Sequence, residues 1–217
     1  MEAVRFDRVT ADSLLENISF TIPCGALAAL VTPGHEVSEL FVRVMLGMAG
    51  PASGRVTVLG CDVTAASTDE LYGLRRRVAV AHPSGGLVSN LKVWENLLLP
   101  LEYRAGNTPG EIEERGLAVL RRLEYEGGLM ELPGHLPPYK KRLIGLGRAI
   151  LSAPELIVYN GILTGISGQE RALIVKTSLE FHGECEGRTS LFITANPETI
   201  VDIPFDTRVS ILQGVVA

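Results

Sequence analysis

The sequence has few cysteines, and this excludes two common ways of stabilising a small protein. Its three cysteines are far apart and form no CxxC pair: Cys24, Cys61 and Cys185. Neither a disulfide framework nor a cysteine zinc site fits this spacing, which suits a reducing cytosol. The four histidines, His35, His82, His135 and His182, are also scattered, and none stands at helical spacing from another. The sequence therefore predicts no metal site.

Excess positive charge and long apolar runs are missing as well. The net charge is −5, so there is no electrostatic reason to expect nucleic acid as a partner. Two short basic runs, Arg75–Arg77 and Lys140–Arg142, are expected on solvated helix faces or at helix ends. No window of 18 or more apolar residues occurs, and the first residues do not resemble a targeting signal. We expect no direct membrane insertion, although contact with a membrane protein stays open.

What is present is the pattern of a layered α/β domain. With 217 residues and 46% hydrophobic content, we expect one domain over residues 1–217. Short alternating segments up to Ile22 predict two antiparallel strands, and the apolar run Ala26–Val31 predicts a buried parallel strand. Further strands alternate with helices to the end of the chain, which favours a mainly parallel sheet. Between about residues 86 and 152 the spacing becomes helical, which predicts an inserted helical part.

The most informative segment runs from Thr32 to Leu40, where a strand turns into a helix. A phosphate-binding loop reads Gly-x-x-x-x-Gly-Lys-Ser/Thr, because backbone N–H groups and the lysine hold phosphates and the hydroxyl holds magnesium. Here Ser38 occupies the lysine position and Glu39 the metal position. The positions that glycine favours hold larger side chains. The complete segment is Thr32, Pro33, Gly34, His35, Glu36, Val37, Ser38, Glu39 and Leu40.

The order of the segments resembles the nucleotide-binding domain of ATP-binding cassette (ABC) transporters over nearly the whole chain. The resemblance is carried by the turn Pro51–Val56 and by Gly147–Ile150 followed by Ala153–Leu156, which looks like the approach to the Walker B strand. It implies a P-loop NTPase-like ABC ATPase fold, with an N-terminal antiparallel part and a helical insert. The stretch Ser84–Leu101 is similar to the branch that serves MCE-type phospholipid transporters, although lipoprotein-export and amino-acid-import ATPases have a similar stretch.

Most positions that carry chemistry in this family hold other residues here. After the Walker B strand, Asn160 and Gly161 stand where the family has an acid for magnesium and a glutamate for water. Pro83 stands at the glutamine that contacts magnesium, and Ala195 at the switch histidine. The signature segment, which would close the ATP site of an opposite subunit, is Leu136, Pro137, Pro138, Tyr139 and Lys140. Proline has no N–H to donate to a phosphate.

These replacements lead to a prediction about chemistry. A glutamate in place of a hydroxyl repels phosphate, by about 1 kcal/mol at 4 Å in water and about 4 kcal/mol at an effective dielectric of 20. We therefore expect no ATP hydrolysis, no cofactor, and weak or absent binding of ATP and magnesium. Glu36 and Glu39 would either interact with the helix dipole in place of an anion or point into solvent.

The leading hypothesis is a catalytically degenerate ABC subunit that acts as a structural or regulatory component of a lipid-type transport complex. Its partners would be a transmembrane permease, a second ABC subunit, or both, and its location would be cytoplasmic, on the inner face of the membrane. Leu87 and Trp94 would contact the permease, although an aromatic here also suits the core. Two alternatives stay open. One is an unconventional but active ATPase that uses Glu36, Glu39 or Asn160, and the other is a soluble adaptor that has left the transporter.

Overall fold

The computed structural model describes residues 1–103, 106–212 and 215–216, and it contains two sheets. The first sheet is antiparallel, in the order β2-β1-β4-β5. Its strands are β1 (Glu2–Ala11), β2 (Leu15–Pro23), β4 (Ser53–Val58) and β5 (Cys61–Asp62). Alternate side chains of β1 and β2 are buried, as the sequence pattern predicts for a sheet with one face on the core.

The second sheet has the order β10-β9-β3-β8-β7-β6 within the described part of the chain. Its strands are β3 (Leu27–Val31), β6 (Val78–Ala81), β7 (Leu156–Asn160), β8 (Thr189–Thr194), β9 (Thr207–Leu212) and β10 (Val215–Val216). Strands β9, β3, β8, β7 and β6 are parallel, and β10 pairs antiparallel with β9. The predicted α/β class with a mainly parallel sheet is confirmed.

Helices fill the space between the sheets and cover the outer face of the parallel sheet. They are α1 (His35–Met45), α2 (Thr68–Arg75), α3 (Val93–Glu102), α4 (Pro109–Arg122), α5 (Pro138–Leu151) and α6 (Gly168–Gly183). Two short 3-10 helices span Pro133–His135 and Pro197–Ile200. Helices α3, α4 and α5 lie between β6 and β7, where the sequence predicted helical spacing. The sequence also predicts a Gly/Pro-rich separation of two helical stretches from Arg104 to Gly110, and the first two residues of this segment lie outside the described residues. The division into domain and insert stays a prediction.

The parallel sheet separates two hydrophobic cores. Ala28 and Leu30 of β3 face a core shared with α1 and the antiparallel sheet, whereas Leu27 and Ala29 face a core built from α3 to α6. Every residue of β7 and of β8 is buried. This explains the apolar runs Leu156–Tyr159 in β7 and Leu191–Ile193 in β8, since a sheet covered on both faces has no solvent side.

The helix starts fall into two kinds. Helices α2, α4 and α6 begin with capping boxes, in which Ser67, Thr108 and Ser167 each pair with a glutamate three residues on. Helices α1 and α5 have Gly34 and Pro137 as their N-cap residues, and the described residues give neither of them a side-chain cap. The first N–H groups of α1 therefore remain open to another acceptor. None of the helices in the described ranges has the length and apolar character required to span a membrane.

Candidate functional site

The candidate site lies at the carboxyl edge of the parallel sheet. Three segments leave the sheet at this edge: the loop Thr32–Gly34 after β3, His82 after β6, and Gly161 after β7. Ligands of open α/β sheets bind outside the carboxyl ends of the strands, where such loops diverge. The nine positions from Thr32 to Leu40 thus begin at the carboxyl edge of the sheet, where folds of this kind bind ligands.

Hydrogen bonds of hydroxyl groups hold the turn of the loop after β3. Thr32 N–H donates to the Thr194 carbonyl over 2.9 Å, which ties the loop to the end of β8. The hydroxyls of Thr32 and Ser38 are 2.6 Å apart, and Ser38 Oγ also donates to the Gly34 carbonyl over 3.3 Å. Ser38 is only 2% exposed. At the family's lysine position, the side chain therefore stabilises the turn from inside. Val37 and Leu40 on the same turn are buried in the core.

Glu39 is the side chain around which the polar groups of the site collect. Asn160 Nδ2 donates to Glu39 Oε1 over 2.7 Å. His82 Nε2 lies 2.8 Å from the same oxygen. His35 Nε2 lies 3.8 Å from it, because His35 and Glu39 are four residues apart on one face of α1. The end of β7, the loop after β6 and the first turn of α1 thus converge on a single carboxylate.

Burial differs among these four side chains. Asn160 is fully buried, and its Oδ1 has no hydrogen-bond partner among the described residues. The side chains of Glu39 and His82 are about one-third exposed, at 36% and 33%, and that of His35 is 63% exposed. The group therefore runs from the buried end of β7 outwards to solvent. Glu36, one residue after His35, is exposed.

His82 is held by a second contact on its other ring nitrogen. Its Nδ1 lies 2.8 Å from Ser84 Oγ, and the Ser84 hydroxyl also accepts from the Gly86 N–H over 3.3 Å. The ring is thus fixed between Ser84 and Glu39. Sequence reasoning missed His82, because it placed Pro83 at the site and compared histidines only with one another. The spacing His35-x-x-x-Glu39 was a signal for the part of the site on α1, whereas no local spacing pointed to His82.

Pro83 contacts Arg142 through its backbone carbonyl. Its carbonyl accepts from Arg142 Nε over 3.2 Å, and Arg142 Nη1 donates to the carbonyls of Ile162 and Thr164 over 2.8 and 3.0 Å. Arg142 is only 7% exposed, so the expectation of a solvated position for the run Lys140–Arg142 is wrong at this residue. Burial lowers the pKa of Arg142, because the charged form loses solvation. Arg142 connects α5 to the loops after β6 and β7.

Two further predicted positions border the site without joining the Glu39 group. Gly161 has φ +59°, which favours glycine, and its N–H donates to the Ile193 carbonyl over 2.8 Å. Ala195 is exposed and follows Thr194, the residue that holds the loop at Thr32.

The signature positions lie at the start of α5. Leu136 is buried, whereas Pro137 and Pro138, the N-cap and the first helical residue, are exposed. Tyr139 and Lys140 are half-buried, and burial raises the pKa of the Tyr139 hydroxyl. The segment therefore offers a rigid, proline-bounded helix start to solvent.

The predicted permease-contact residues pack partly against the outer core. Leu87 and Trp94 are half-buried against the hydrophobic side chains of α3 to α6. Trp94 approaches Gly116 of α4 so closely that a Cβ there would lie 2.8 Å from the indole ring. Trp94 thus has a packing role, while Val88, beside Leu87, is 41% exposed.

The chain is similar to curated proteins that are named as transport ATP-binding proteins. It is 23% identical over 189 residues to the probable ribonucleotide transport ATP-binding protein mkl of Mycobacterium tuberculosis, covering 87% of this chain and 52% of that protein. It is 27% identical over 200 residues to the methionine import ATP-binding protein MetN 1 of Rhodopseudomonas palustris, covering 92% and 52%. The chain spans about half the length of these curated relatives. No family model matches the chain.

The fold comparison agrees with the sequence comparison. The dimeric post-hydrolysis structure of the ATP-binding cassette MJ0796, bound to ADP and Pi, superposes with a TM-score of 0.85. The match covers 98% of this chain and 96% of that one at 19% identity, which establishes the ABC ATPase fold.

These comparisons correct two predictions made from the sequence. The prediction that the chain is not an enzyme is contradicted, because its relatives are named ATP-binding proteins and its structural neighbour was captured after hydrolysis. The prediction of no cofactor is contradicted by the same findings, because the relatives are named ATP-binding proteins and the similar cassette structure holds ADP and Pi. Reading function from the replaced positions of the loop, the Walker B strand end and the signature segment gave too much weight to single residues and too little to the cassette that contains them.

Proposed function

Because the chain is a relative of ABC transporter ATP-binding proteins and has the ABC cassette fold, we propose that it is an ATP-binding subunit of a membrane transport complex of the lipid type. Similarity along 87% of the chain to transport ATP-binding proteins is the observation that carries this proposal. The subunit would lie on the cytoplasmic side of a membrane, held there by a permease.

The residues at the carboxyl edge of the sheet supply some, but not all, of the groups that would bind a nucleotide with its metal ion. The uncapped start of α1 at Gly34 presents open N–H groups to an anion. Glu39 and the unpartnered Oδ1 of Asn160 are oxygen donors of the kind that magnesium accepts together with phosphate oxygens. The lysine that usually faces the phosphates is replaced by the buried Ser38. Here the compensating positive charge would have to come from the metal.

The roles of the chain's own residues follow from this geometry. The first turn of α1 would orient a phosphate, and Glu39 would hold the metal beside it. Asn160 and His82 fix the Glu39 carboxylate, which lowers the entropy cost of metal binding. Bound ATP would supply the hydrolysable phosphate bond.

A thermal unfolding titration with ATP and magnesium tests the nucleotide part. A ligand that binds only the folded chain raises its stability by about 2.7 kcal/mol at a hundredfold excess over Kd. We expect a saturable rise in Tm with ATP and magnesium, a smaller one with ATP in EDTA, and release of phosphate over time. No change in Tm at millimolar ATP and magnesium would overturn the proposal.

The surface near Leu87 and Val88 is the proposed permease contact, supported by the resemblance of Ser84–Leu101 to the phospholipid-transport branch. Co-purification from membranes tests it. We expect a permease to accompany the tagged chain and Val88→Asp to reduce its yield. Val201→Asp is the matched control, since Val201 is another exposed apolar residue, 71% exposed, and lies outside this surface.

The lipid assignment is tested with the complex that co-purifies. Reconstituted in phospholipid vesicles, it should move labelled phospholipid when ATP is added. Movement of methionine or a ribonucleotide in place of phospholipid would contradict the lipid part and leave the ATP-binding part intact. Recovery of the chain without any permease would favour the soluble adaptor.

A further inference from the structure

His35, Glu39 and His82 place three metal-ligating atoms close together at the carboxyl edge of the sheet, all within 4.8 Å of one another. We propose that these three side chains form a binding site for a divalent transition metal ion such as zinc, with the Asn160 carbonyl oxygen as a fourth donor. The site belongs to the chain alone and needs no nucleotide. It goes beyond the proposed function, in which magnesium accompanies ATP.

The separations suit metal coordination. Zinc binds histidine nitrogen and carboxylate oxygen at about 2.0–2.1 Å, so tetrahedral ligand atoms lie roughly 3.3 Å apart. His82 Nε2 is 2.8 Å and His35 Nε2 is 3.8 Å from Glu39 Oε1. The two rings have centroids 6.4 Å apart. The two measured separations lie on either side of the tetrahedral value, and the His35 side chain is 63% exposed, so it is free to adjust towards a metal ion.

The backbone holds the three ligands in place. His35 and Glu39 are one turn apart on α1, the helix spacing that puts two ligands on one face. His82 follows β6 directly, where Ala81 is paired with Tyr159 of β7. A site carried by a helix and a strand end is fixed before the metal arrives, which reduces the ordering cost of binding.

The second ring nitrogen of His82 also has a partner. A metal-bound histidine usually donates its other ring N–H to another group, and this fixes the ring and the tautomer. Ser84 Oγ lies 2.8 Å from His82 Nδ1, and the Ser84 N–H donates to the same nitrogen over 3.3 Å. With a metal on Nε2, Nδ1 would carry the ring proton and donate a hydrogen bond to Ser84 Oγ in place of accepting from the Ser84 N–H. Ser84 would thus act on the metal through His82.

Asn160 supplies an independent observation. It is fully buried and reaches the group through its Nδ2 contact with Glu39, while its Oδ1 has no partner among the described residues. A buried acceptor without a partner is costly. Turning the amide about its terminal bond brings the oxygen to the Glu39 side, where a cation would bind both oxygens. The turn sacrifices one hydrogen bond, and metal coordination replaces it.

The donor set selects the class of metal. Imidazole nitrogen suits zinc, copper, nickel and iron, whereas magnesium prefers oxygen ligands alone. Two histidines with one carboxylate therefore favour a transition metal over magnesium. Within the proposed function, such a metal would stand where the nucleotide phosphates approach.

Titration of the nucleotide-free protein with zinc, in competition with a chromophoric chelator, tests the site. We expect one zinc ion per chain, bound in the presence of millimolar magnesium. His35→Ala, His82→Ala and Glu39→Gln should each weaken binding roughly tenfold or more, since even outer contacts of metal ligands contribute 10- to 100-fold. With cobalt as the probe, the visible absorption spectrum should report histidine coordination and change in each variant.

His135→Ala is the matched control, an exposed histidine outside the group. It should bind zinc as the unchanged protein does. If His82→Ala does not fold, as circular dichroism would show, His35→Ala still decides, because His35 is on the surface. Zinc affinity unchanged in His35→Ala and Glu39→Gln, or lowered equally by His135→Ala, would overturn the proposal. Because ATP is absent, neither result depends on nucleotide binding.

Discussion

Glu39 and Asn160 are 121 positions apart in the chain, and the Asn160 amide donates to the Glu39 carboxylate over 2.7 Å. The contact joins the first turns of α1 to the end of the buried strand β7. A neutral amide suits this place, because it can donate to a carboxylate that an acid would repel. The Asn160 amide and the Glu39 carboxylate thus complement each other as donor and acceptor.

Exchange of Asn160→Asp should therefore destabilise the metal-free chain. The change removes a donor to Glu39 and places a second carboxylate beside it in a buried position. We expect the free energy of unfolding to fall by about 1–3 kcal/mol, the cost of leaving a buried polar partner unsatisfied. Urea unfolding at neutral pH with EDTA measures it.

A double-mutant cycle separates this pair from general damage. In a Glu39→Gln background the second carboxylate has no like charge to meet, so Asn160→Asp should cost clearly less. Equal cost in both backgrounds would show that the two side chains are not coupled.

Glu39→Gln should change ATP binding in opposite directions with and without a divalent metal. In EDTA the variant should bind ATP about fivefold more tightly, because about 1 kcal/mol of charge repulsion at 4 Å is removed. With magnesium it should bind more weakly, because a metal ligand is lost. Isothermal titration calorimetry measures both affinities.

Glu36→Gln serves as the control on the same helix. Glu36 is exposed in the first turn of α1, and the described contacts of Asn160 and His82 go to Glu39. Its exchange should have a smaller effect in EDTA and little effect with magnesium. The same sign of change in both buffers for Glu39→Gln would contradict a metal-holding role.

Gly145→Ala should disrupt the contact between α5 and the loop after β6. A Cβ at Gly145 would lie 2.6 Å from the Gly85 Cα, a backbone atom that cannot give way cheaply. We expect a loss of about 1–3 kcal/mol in the free energy of unfolding, as for other overpacked sites. Gly73→Ala in α2, where a Cβ meets nothing within 4 Å, should instead gain about 0.5–1 kcal/mol. If both variants lose stability alike, close packing is not the cause.

The ion pair between Glu155 and Arg77 should make the free energy of unfolding depend on pH. Arg77 donates to both Glu155 oxygens, over 2.6 and 2.7 Å, and these hydrogen bonds hold the pKa of the Glu155 carboxyl below its ordinary value. A lowered folded-state pKa stabilises the fold above the unfolded pKa, and this stabilisation is lost as the pH falls through the folded-state value. The Glu155 side chain is 55% exposed, so the effect is at most about 1 kcal/mol.

Urea unfolding of Glu155→Gln checks this sign. The variant should be less stable than the unchanged chain at pH 7, and the difference should shrink towards pH 3. Glu113→Gln, at an exposed position of α4, is the control and should show a smaller difference at pH 7. A difference that grows on acidification would contradict the ion-pair explanation.

The sequence was sufficient for the parts of the fold that depend on local patterns. The apolar segment Val78–Ala81 predicts a buried strand with the bounds that β6 has, and the apolar run from Leu156 to Tyr159 predicts β7, because buried parallel strands have few alternatives. Apolar residues at helical spacing predict a helix from Val37, whereas α1 starts two residues earlier, since the polar His35 and Glu36 in its first turn hide the start. The short strand β10 has no pattern long enough to read.

The site could be predicted only in part, because its groups meet through the tertiary fold. His82 is 43 positions from Glu39, and no local spacing links them. The burial of Arg142 was equally hidden, since its partners are backbone carbonyls, which any residue type supplies. The predicted phosphate-loop positions Thr32–Leu40 lie after β3 and in α1, and their role stays a prediction, because the identity of single residues does not show which groups surround them.

Arg142 has a mechanical consequence. Its guanidinium group donates to the Pro83 carbonyl after β6 and to the Ile162 and Thr164 carbonyls after β7. If α5 tilts, it must either pull both of these segments along or give up all three bonds together. A displacement of α5 would thus reach the loops after β6 and β7 together.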